Sequence, residues 1–387
     1  MTITSAELVI PSPDLAATLA FFVDRLGFRI ERISPADDPS IVILTGAGVR
    51  LRLDRTSTAA PGTLRLACDD PLAVGDGSPT IVAPNGTTIE LVPNAEADVD
   101  VPPVRQSFVL TSLRDDASWI TGRAGMSYRD LVPGRQGGRF IASHIRIDDG
   151  GPVPDYVHFH AIRFQMIYCA RGWVRVVYED QGPPFVLEAG DCVLQPPRIR
   201  HRVLEASPGL EVIEVGCPAR HDTYADHELE LPTVSVAPER DFDGQRFVRH
   251  IAREATWRPG PLPGFVHRDT GIGAATGGLA GARVVRRDNG AVAAEPARWA
   301  HDGELALTVV LGGGASLVRD DAGECPVGAG DAFVIPAGMR HALVEPSDDF
   351  EALEVTLPAQ LNRHVSIVGG TDPAGARSPL RDGSPPD

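Results

Sequence analysis

Two stretches of the sequence decide the fold: HFHAIRFQMIYCARG, which is His158–Gly172, and GDCVLQPPRIRH, which is Gly190–His201. Alternate residues of a strand point to the same face, so the imidazoles of His158 and His160 project together. His201 opens another strand after a proline-bearing turn. Three imidazoles on neighbouring strands of a small barrel form a facial set of metal ligands and leave other coordination positions open for substrate or oxygen.

An internal repeat shows that this pattern occurs twice. A shift of 140 residues lays Gly190–Pro218 on Gly330–Pro358 without a gap, and 11 of the 29 positions are identical. The matched residues include His201 and His341. Self-similarity at a fixed spacing indicates repeated structural units, so we expect two related β-rich domains fused in one chain.

The two quoted stretches are similar to the signature motifs of the cupin superfamily, an HxH followed by a carboxylate and a glycine, and then GDxxxxPxxxxH. The resemblance covers both copies of the repeat and implies a mainly β fold with two tandem antiparallel jelly-roll barrels, a bicupin. It also implies that His158, His160 and His201 are metal ligands. The sequence departs from the family at Gln165, where a glutamate is usual. Gln165 is therefore expected as a weak fourth ligand or as a hydrogen-bonding neighbour of the ligands.

The second copy has lost part of the metal motif. Its counterpart of the HxH stretch is Arg298–Gly313, RWAHDGELALTVVLGG. After a one-residue slip, the equivalent pairs are His301 with His160, Trp299 with His158 and Ala306 with Gln165. Only His301 and His341 remain as possible ligands, so we expect the second copy to have a structural role.

The first 95 residues have a mixed pattern that predicts a β-α-β-β-β module. This order and the phrases FFVDRLGF and APNGTTIELVP resemble one module of the glyoxalase and bleomycin-resistance (vicinal oxygen chelate) superfamily. The resemblance implies metal ligands at Glu7 and Glu90 if a second module completes the site. With a single module, a docking or dimerisation domain is the expected role. The predicted elements are strand Ala6–Ile10, helix Pro13–Leu26 and strands Phe28–Ile33, Ser40–Leu53 and Thr87–Val92.

Composition and repeat together divide the chain into domains. The acidic, proline-bearing stretch before Ser107 is typical of a linker, and the last residues are rich in Gly, Pro, Ser and Asp, which indicates disorder. The predicted domains are the small α+β module at 1–95, a linker at 96–106, the metal-binding barrel at 107–228, the degenerate barrel at 229–366 and a disordered tail at 367–387.

The composition excludes several functions. The chain has 36 basic and 52 acidic residues, a formal charge of −16, and no lysine. Schiff-base and pyridoxal phosphate chemistry and lysine-dependent phosphate sites are therefore excluded. The acidity argues against nucleic acid or an anionic membrane as partner and favours a small molecule. The 40 glycines and 34 prolines favour short strands over long helices, and the five scattered cysteines indicate neither disulfides nor a thiolate zinc site. No run of residues is long and apolar enough for a membrane span, and we expect a cytoplasmic location.

Three functions are compatible with these features. The first is a non-haem Fe(II) dioxygenase that acts on a hydroxyaromatic or diketone-like substrate, with Mn, Ni or Zn as alternative metals and with Gln165 and Arg163 as catalytic residues. Arg163 would hold an anionic group of the substrate, and the alternative is a surface ion pair. The second is a metal-dependent isomerase or lyase that does not use O2. The third is a non-enzymatic sensor that binds a small molecule, and in each case a homodimer is plausible.

Residues shared by both copies have a different expected role. Because copy two lacks the metal motif, a residue that it retains is more simply explained by the fold, for example by pairing with a nearby charge. Cys169 and Cys192 lie in apolar strands and are expected to be inert core thiols. The acidic and basic residues assigned to the fold in this way are Arg200, Glu205, Glu211 and Glu214.

Overall fold

The structure is a computed structural model in which the chain forms two compact units, Met1–Asp98 and Val99–Asp387. The predicted tail 367–387 and part of the predicted linker lie outside the described residues. Among the described residues, no helix has the length and apolarity that a membrane crossing requires. The described residues are 2–94, 99–114, 118–260, 263–290, 298–320 and 322–366.

The first half of the N-terminal unit has the predicted β-α-β-β-β order. Its helix begins after Asp14, whose side chain accepts a hydrogen bond from the backbone N–H of Ala17 at 3.0 Å. The first strand pairs in parallel with the last, and the others are antiparallel. The elements are strand Leu8–Pro11, α-helix Leu15–Ala20, π-helical turns Phe21–Arg25, and strands Arg29–Ser34, Ile41–Gly46 and Val49–Asp54.

One prediction for this unit was wrong. The segment predicted as a single strand, Ser40–Leu53, is a hairpin, and it turns at Ala47 and Gly48, which both have positive φ. The last strand of the module is therefore Val49–Asp54, and the segment predicted for that place belongs to a second sheet. This sheet contains strands Thr63–Cys68, Thr80–Val82 and Thr88–Pro93. Helix Pro71–Val74 lies between the first two of them in the chain.

The two glutamates of the N-terminal unit lie in different surroundings. The Glu7 carboxylate is 3.3 Å from the guanidinium of Arg50, next to the first sheet. Glu90 is exposed on the central strand of the second sheet. Neither belongs to a metal-ligand cluster among the described residues. The relation of this unit to glyoxalase-type modules stays a prediction.

The second unit contains two β-barrels, as the repeat predicted, and we call the one with the HxH stretch barrel 1. Side chains from two sheets meet in its core, among them Cys169 and Val212 from one sheet and Val176 and Leu187 from the other. The strands of the first sheet, in spatial order, are Val248–His250, Cys192–Leu194, Phe164–Arg171, Leu210–Cys217, Ile141–Ile147, Ser127–Asp130 and Ile120–Thr121. Those of the second sheet are Phe185–Glu188, Trp173–Tyr178, His201–Ala206 (also paired with Gly151–Pro152), His158–His160 and Thr223–Ala225.

The other barrel, which we call barrel 2, has the same arrangement of antiparallel strands. Its first sheet contains Arg258–Pro259, Phe265–Asp269, Gly281–Arg287, Glu351–Leu357, Leu305–Gly312, Ala332–Val334 and Val109–Thr111. Its second sheet contains Gly323–Gly328, Gly314–Arg319, His341–Val344, Arg298–His301 and Arg363–Ser366. The remaining short elements of the unit are the turns Arg123–Gly125, Arg135–Gly138, Ala252–Glu254 and Ile272–Ala275 and the hairpin Asp241–Phe242 with Gln245–Arg246.

The barrels exchange edge strands. Val109–Thr111, which precedes barrel 1 in the chain, pairs with Ala332–Val334 of barrel 2. Val248–His250, which precedes barrel 2, pairs with Cys192–Leu194 of barrel 1. Apolar residues of both barrels also share one core, including Leu131, Phe140, Leu305 and Leu353. Burial of this joint core and pairing of both edges hold the barrels together.

The repeated GD pair has a structural explanation. Gly190 and Gly330 both have positive φ, at 95° and 86°, a conformation in which other residues are strained. Asp191 accepts a hydrogen bond from the backbone N–H of Glu188 at 3.0 Å, and Asp331 accepts the equivalent bond from Gly328 at 2.8 Å. The GD pair therefore closes a tight turn in each barrel, with or without a metal site.

Candidate metal centre of barrel 1

The three predicted histidines come together in barrel 1. His158 and His201 lie directly opposite each other on paired antiparallel strands, and their ring centroids are 4.2 Å apart. The ring of His160 lies 5.3 Å from both. The potential ligand atoms of all three lie within 4.8 Å of one another, and this is the one such cluster found among the described residues.

Hydrogen bonds fix which nitrogen of each ring faces the centre of the cluster. The Nδ1 atom of His158 lies 2.8 Å from the carbonyl oxygen of Tyr156, and that of His201 lies 3.0 Å from the carbonyl oxygen of Ile199. A carbonyl only accepts, so each Nδ1 carries the proton and each Nε2 keeps a free lone pair. The buried Nε2 of His158 has no hydrogen-bond partner among the described residues. A buried lone pair without a partner fits a metal ion.

The surroundings keep these rings neutral, as metal ligands must be. Burial lowers the pKa of His160 to about 2, with a further contribution from the positive charges that His158, His221 and Arg123 would carry. Burial likewise lowers the pKa of His158 and holds the pKa of His201 well below its ordinary value. At neutral pH all three imidazoles are therefore uncharged donors.

The third ring is oriented by a side chain. The Nδ1 atom of His160 lies 2.9 Å from Oγ1 of Thr223 on the neighbouring strand. We expect Thr223→Val to weaken metal binding roughly tenfold, because the ring loses the bond that sets its tautomer and orientation. Competitive titration with a metal indicator measures this. Thr63→Val, on an exposed strand position of the N-terminal unit, is the control, and equal affinities in both variants would contradict the assignment.

A salt bridge that sequence reasoning missed supports the cluster. Asp155, whose side chain is fully buried, accepts a hydrogen bond from Arg123 at 2.5 Å and another from the backbone N–H of Val203 at 2.9 Å. The guanidinium of Arg123 also lies 3.5 Å from Nδ1 of His158. Neither Arg123 nor Asp155 belongs to a recognisable sequence motif, since they lie 32 residues apart on irregular segments.

A cavity of about 430 Å³ extends from the histidines into barrel 1. Its wall is mostly aliphatic and comes from both sheets. The wall also has a polar part, which includes two arginines, two carboxylates and several uncharged hydrogen-bonding groups. The apolar part is formed by Ile145, Ile147, Ile167, Val174, Val176, Leu187, Val203, Leu210 and Val212, and the polar part includes Arg123, Tyr128, Asp130, Arg135, Ser143, Gln165, Tyr178, Gln195, Glu214, His221 and Thr223.

The two residues predicted as catalytic lie in different places. Gln165 is buried in the cavity wall, and its amide nitrogen donates a hydrogen bond to Glu214 at 2.6 Å. Its carbonyl oxygen is thus the one ligand atom that Gln165 can offer. Arg163 does not line the cavity, and its guanidinium lies 3.8 Å from the carboxylate of Glu304 in barrel 2. The placement of Arg163 agrees with the ion-pair alternative, and its catalytic role stays a prediction without support from the geometry.

The other repeated residues have the following partners. Arg200 pairs with Asp226 at 3.2 Å, Glu205 with Arg175 at 2.9 Å and Glu211 with His144 at 2.8 Å, in agreement with a role in the fold. Glu214 is different, because it lines the cavity. Sequence reasoning assigned it to the fold because copy two retains a glutamate at the equivalent position, Glu354. Alignment of the two copies does not show that these two carboxylates have different neighbours. The two core thiols are buried, and burial raises the pKa of both Cys169, to about 12, and Cys192.

In barrel 2, the residues at the positions of the metal motif have other contacts. Trp299 lies opposite His341, as His158 lies opposite His201, which confirms the one-residue slip. Both ring nitrogens of His301 are used by the backbone: Nε2 lies 2.9 Å from the carbonyl oxygen of Ile335, and Nδ1 accepts from Gly303 at 3.1 Å. The space next to Trp299 is only about 20 Å³. Among its described residues, barrel 2 therefore has neither the three-histidine cluster nor the cavity of barrel 1.

Residues 285–356 match the family model of the cupin domain. The matched region lies in barrel 2. This part of barrel 2 is therefore similar to the cupin domain. Barrel 1 repeats its strand order and the register of its paired strands, so the fold of the second unit is a tandem of cupin barrels, as the sequence predicted. The match is with the copy that lost part of the metal motif. No curated protein matches the chain in sequence.

The chain is similar to several solved structures at low identity. Protein YlbA from E. coli has 14% identity and a TM-score of 0.48, covering 68% of this chain and 96% of that one. The Lactobacillus farciminis oxalate decarboxylase in a formate complex has 14% identity and a TM-score of 0.48, covering 68% and 89%. A salicylate 1,2-dioxygenase from Pseudaminobacter salicylatoxidans has 14% identity and a TM-score of 0.49, covering 68% and 90%. At such values the choice of function rests on the side chains of this chain.

Proposed function

We propose that the protein is a metal-dependent enzyme whose active site lies in barrel 1 and whose reaction is of the non-haem iron dioxygenase type. The observation that supports the proposal most strongly is the convergence of three neutral imidazoles, with each Nδ1 held by a hydrogen bond. Three nitrogen ligands on one side of an ion leave the opposite side open for substrate and O2. Fe(II) fits this donor set, and Mn, Ni and Zn are the alternatives.

The bound ion would act as a Lewis acid that lowers the pKa of a chelating substrate and brings it next to O2. Residues of the protein bind and orient the substrate. The aliphatic wall of the cavity excludes water and holds the apolar part of the substrate. Arg123 stands beside His158 and presents a positive charge at the polar end of the cavity, while Asp155 fixes its position. Gln165 and Glu214 form a hydrogen-bonded pair that orients polar groups of the substrate.

The shape and polarity of the cavity limit the substrate class. About 430 Å³ accommodates a small organic molecule, and the combination of a polar end with an aliphatic wall favours a compound with a chelating oxygen pair on an apolar body. Hydroxyaromatic and diketone-like compounds have this form. They are the substrates that we propose to test first.

The test is metal analysis followed by oxygen uptake. Protein purified without added metal should contain close to one transition-metal ion per chain, and chelation should abolish turnover that Fe(II) then restores. With a panel of hydroxyaromatics and β-diketones, O2 consumption should match substrate loss. Turnover that continues at the same rate without O2 would contradict the dioxygenase proposal and leave the metal site intact.

A second candidate is an O2-independent isomerase or lyase, and Glu214 is the observation that favours it. Glu214 is a carboxylate in the polar part of the cavity wall, where it could take up a proton from a substrate that a bound metal ion would make more acidic. The O2 dependence of turnover, together with Glu214→Gln, distinguishes the two. Turnover that does not need O2 and that falls on the order of 10²-fold or more in Glu214→Gln, with the metal content unchanged, would favour proton transfer.

The cavity itself gives a further prediction. Val176→Phe should fill part of the empty space, so we expect kcat/KM to fall at least about tenfold while bound metal and stability stay nearly unchanged. The matched control is Leu317→Phe, since Leu317 lies at the equivalent position of the closely packed barrel 2. Overpacking there should cost about 1–3 kcal/mol in the free energy of unfolding, measured with urea. The cavity assignment fails if Val176→Phe is the more destabilising change.

A further inference from the structure

The strand register identifies residues of barrel 2 that replace cavity residues of barrel 1. Ser143 lies opposite Glu214 in barrel 1, and Arg283 lies opposite Glu354 in barrel 2. The two pairs lie on corresponding strands, 140 residues apart. Arg283 therefore occupies the place of Ser143, which lines the cavity of barrel 1.

A second position has changed in the same way. Thr223 lies opposite His160 in barrel 1, and Arg363 lies opposite His301 in barrel 2. A cavity-lining hydroxyl of barrel 1 is thus again an arginine in barrel 2. Because barrel 1 folds without a cation at either position, the barrel fold itself does not require these two arginines.

A third position has changed to histidine. Tyr128, another cavity residue of barrel 1, lies opposite Ile145, and His267 lies opposite Val285 at the corresponding place of barrel 2. Three positions that line the cavity in barrel 1 therefore carry nitrogen-based groups in barrel 2.

These three residues line one cleft of about 440 Å³. Thr356 and Gln360 add a hydroxyl and an amide, and the described residues of its lining include no carboxylate. A wider neighbouring cleft of about 660 Å³ also contains Asp269 and Glu354. Asp269 is exposed and accepts a hydrogen bond from the backbone of Gly271 at 2.7 Å.

The buried Glu354 does not balance both arginines. Its carboxylate lies 2.6 Å from Nε and 2.5 Å from Nη2 of Arg283, but 3.9 Å from Arg363. The buried Nε of Arg363 and Nδ1 of His267 have no hydrogen-bond partner among the described residues. A partly buried cation and unpaired nitrogen atoms cost free energy unless a ligand satisfies them.

We propose that this cleft of barrel 2 binds a small oxyanion, a carboxylate or a phosphate, between Arg363, Arg283 and His267. A guanidinium is suited to both because its planar N–H groups match their oxygen atoms. Barrel 2 then has an anion site formed by residues at positions that line the cavity in barrel 1. The site is separate from the metal centre and does not depend on the reaction that takes place there.

Calorimetric titration of the full chain tests the proposal, with inorganic phosphate and malonate as probes. The protein is first depleted of metal, so that barrel 1 does not contribute an anion site through a bound ion. We expect one saturable site per chain, and the stronger of the two probes shows whether the natural ligand is a phosphate or a carboxylate. Arg363→Gln and His267→Gln should each weaken binding at least tenfold.

Arg253→Gln is the matched control, because Arg253 is an exposed arginine with an acidic partner, Glu188, at 3.0 Å. It should bind both anions like the unchanged protein. If Arg363→Gln lowers the melting temperature so far that the protein is not folded, His267→Gln decides, since its side chain has no buried ion pair to lose. Absence of saturable binding of either anion, or unchanged binding in His267→Gln, overturns the proposal.

Discussion

Replacement of His201 by alanine is expected to reduce bound metal from about one ion per chain to less than about a tenth and to abolish turnover. In the proposed site His201 is one of three ligands, and two ligands seldom hold a catalytic ion. Its ring is buried and is held by the carbonyl oxygen of Ile199, and alanine provides no ligand atom in its place. Metal analysis by mass spectrometry after gel filtration measures the change.

The repeat provides a control at the equivalent position. His341 is also buried, and its Nδ1 lies 3.2 Å from the carbonyl oxygen of Met339, as in barrel 1. His341→Ala removes the same atoms from the same kind of strand, but in a barrel where Trp299 has replaced the partner ligand. It should keep the full metal content. A similar loss of metal in both variants would mean that the ion is not in barrel 1 or that it depends on the fold as a whole.

The second large effect is expected at Asp155. Asp155→Ala leaves the guanidinium of Arg123 and the backbone N–H of Val203 without their partner. Arg123 is about one-third exposed and regains some water, so we expect a loss of roughly 2–3 kcal/mol in the free energy of unfolding rather than the larger value of a fully buried pair. Metal affinity should also fall by roughly 10–100-fold, because Arg123 and Asp155 lie beside His158.

Urea unfolding and a metal titration measure the two effects separately. Asp148→Ala is the control, since Asp148 pairs with Arg146 at 2.7 Å but is well exposed. A surface pair of this kind is worth about 0–1 kcal/mol, and its removal should leave the metal affinity unchanged. If Asp155→Ala is no more destabilising than Asp148→Ala, the proposed support of His158 is wrong.

Local patterns were sufficient for the histidines. An HxH on a strand fixes two side chains on one face whatever surrounds them, and the GDxxxxPxxxxH stretch places a third histidine at the start of another strand. The same patterns misplaced the end of the N-terminal module. There, Ser40–Leu53 has the apolar alternation of one long strand, and the hairpin depends on two residues of positive φ, one of which is an alanine.

The neighbours of the histidines did not follow from the sequence. Arg123 and Asp155 approach His158 from irregular segments, and the contact exists only because the strands of barrel 1 close around it. Sequence reasoning assigned Glu214 to the fold and Arg163 to catalysis. In the structure Glu214 lines the cavity and Arg163 does not. Glu214 lies in a strand and Arg163 lies just before one, and sequence spacing did not show which of them faces the cavity.

The sequence by itself determined the repeat, the cupin fold of both barrels, the three imidazoles and the loss of that set in the second copy, because each depends on residues close together in the chain or at a constant spacing. The tertiary structure decided which barrel keeps a cavity, which charges line it, and where Arg283 and Arg363 converge. Those properties depend on side chains that meet across two sheets from distant parts of the chain. The volumes and charges of these side chains define a cavity or a binding site only after the barrels have folded.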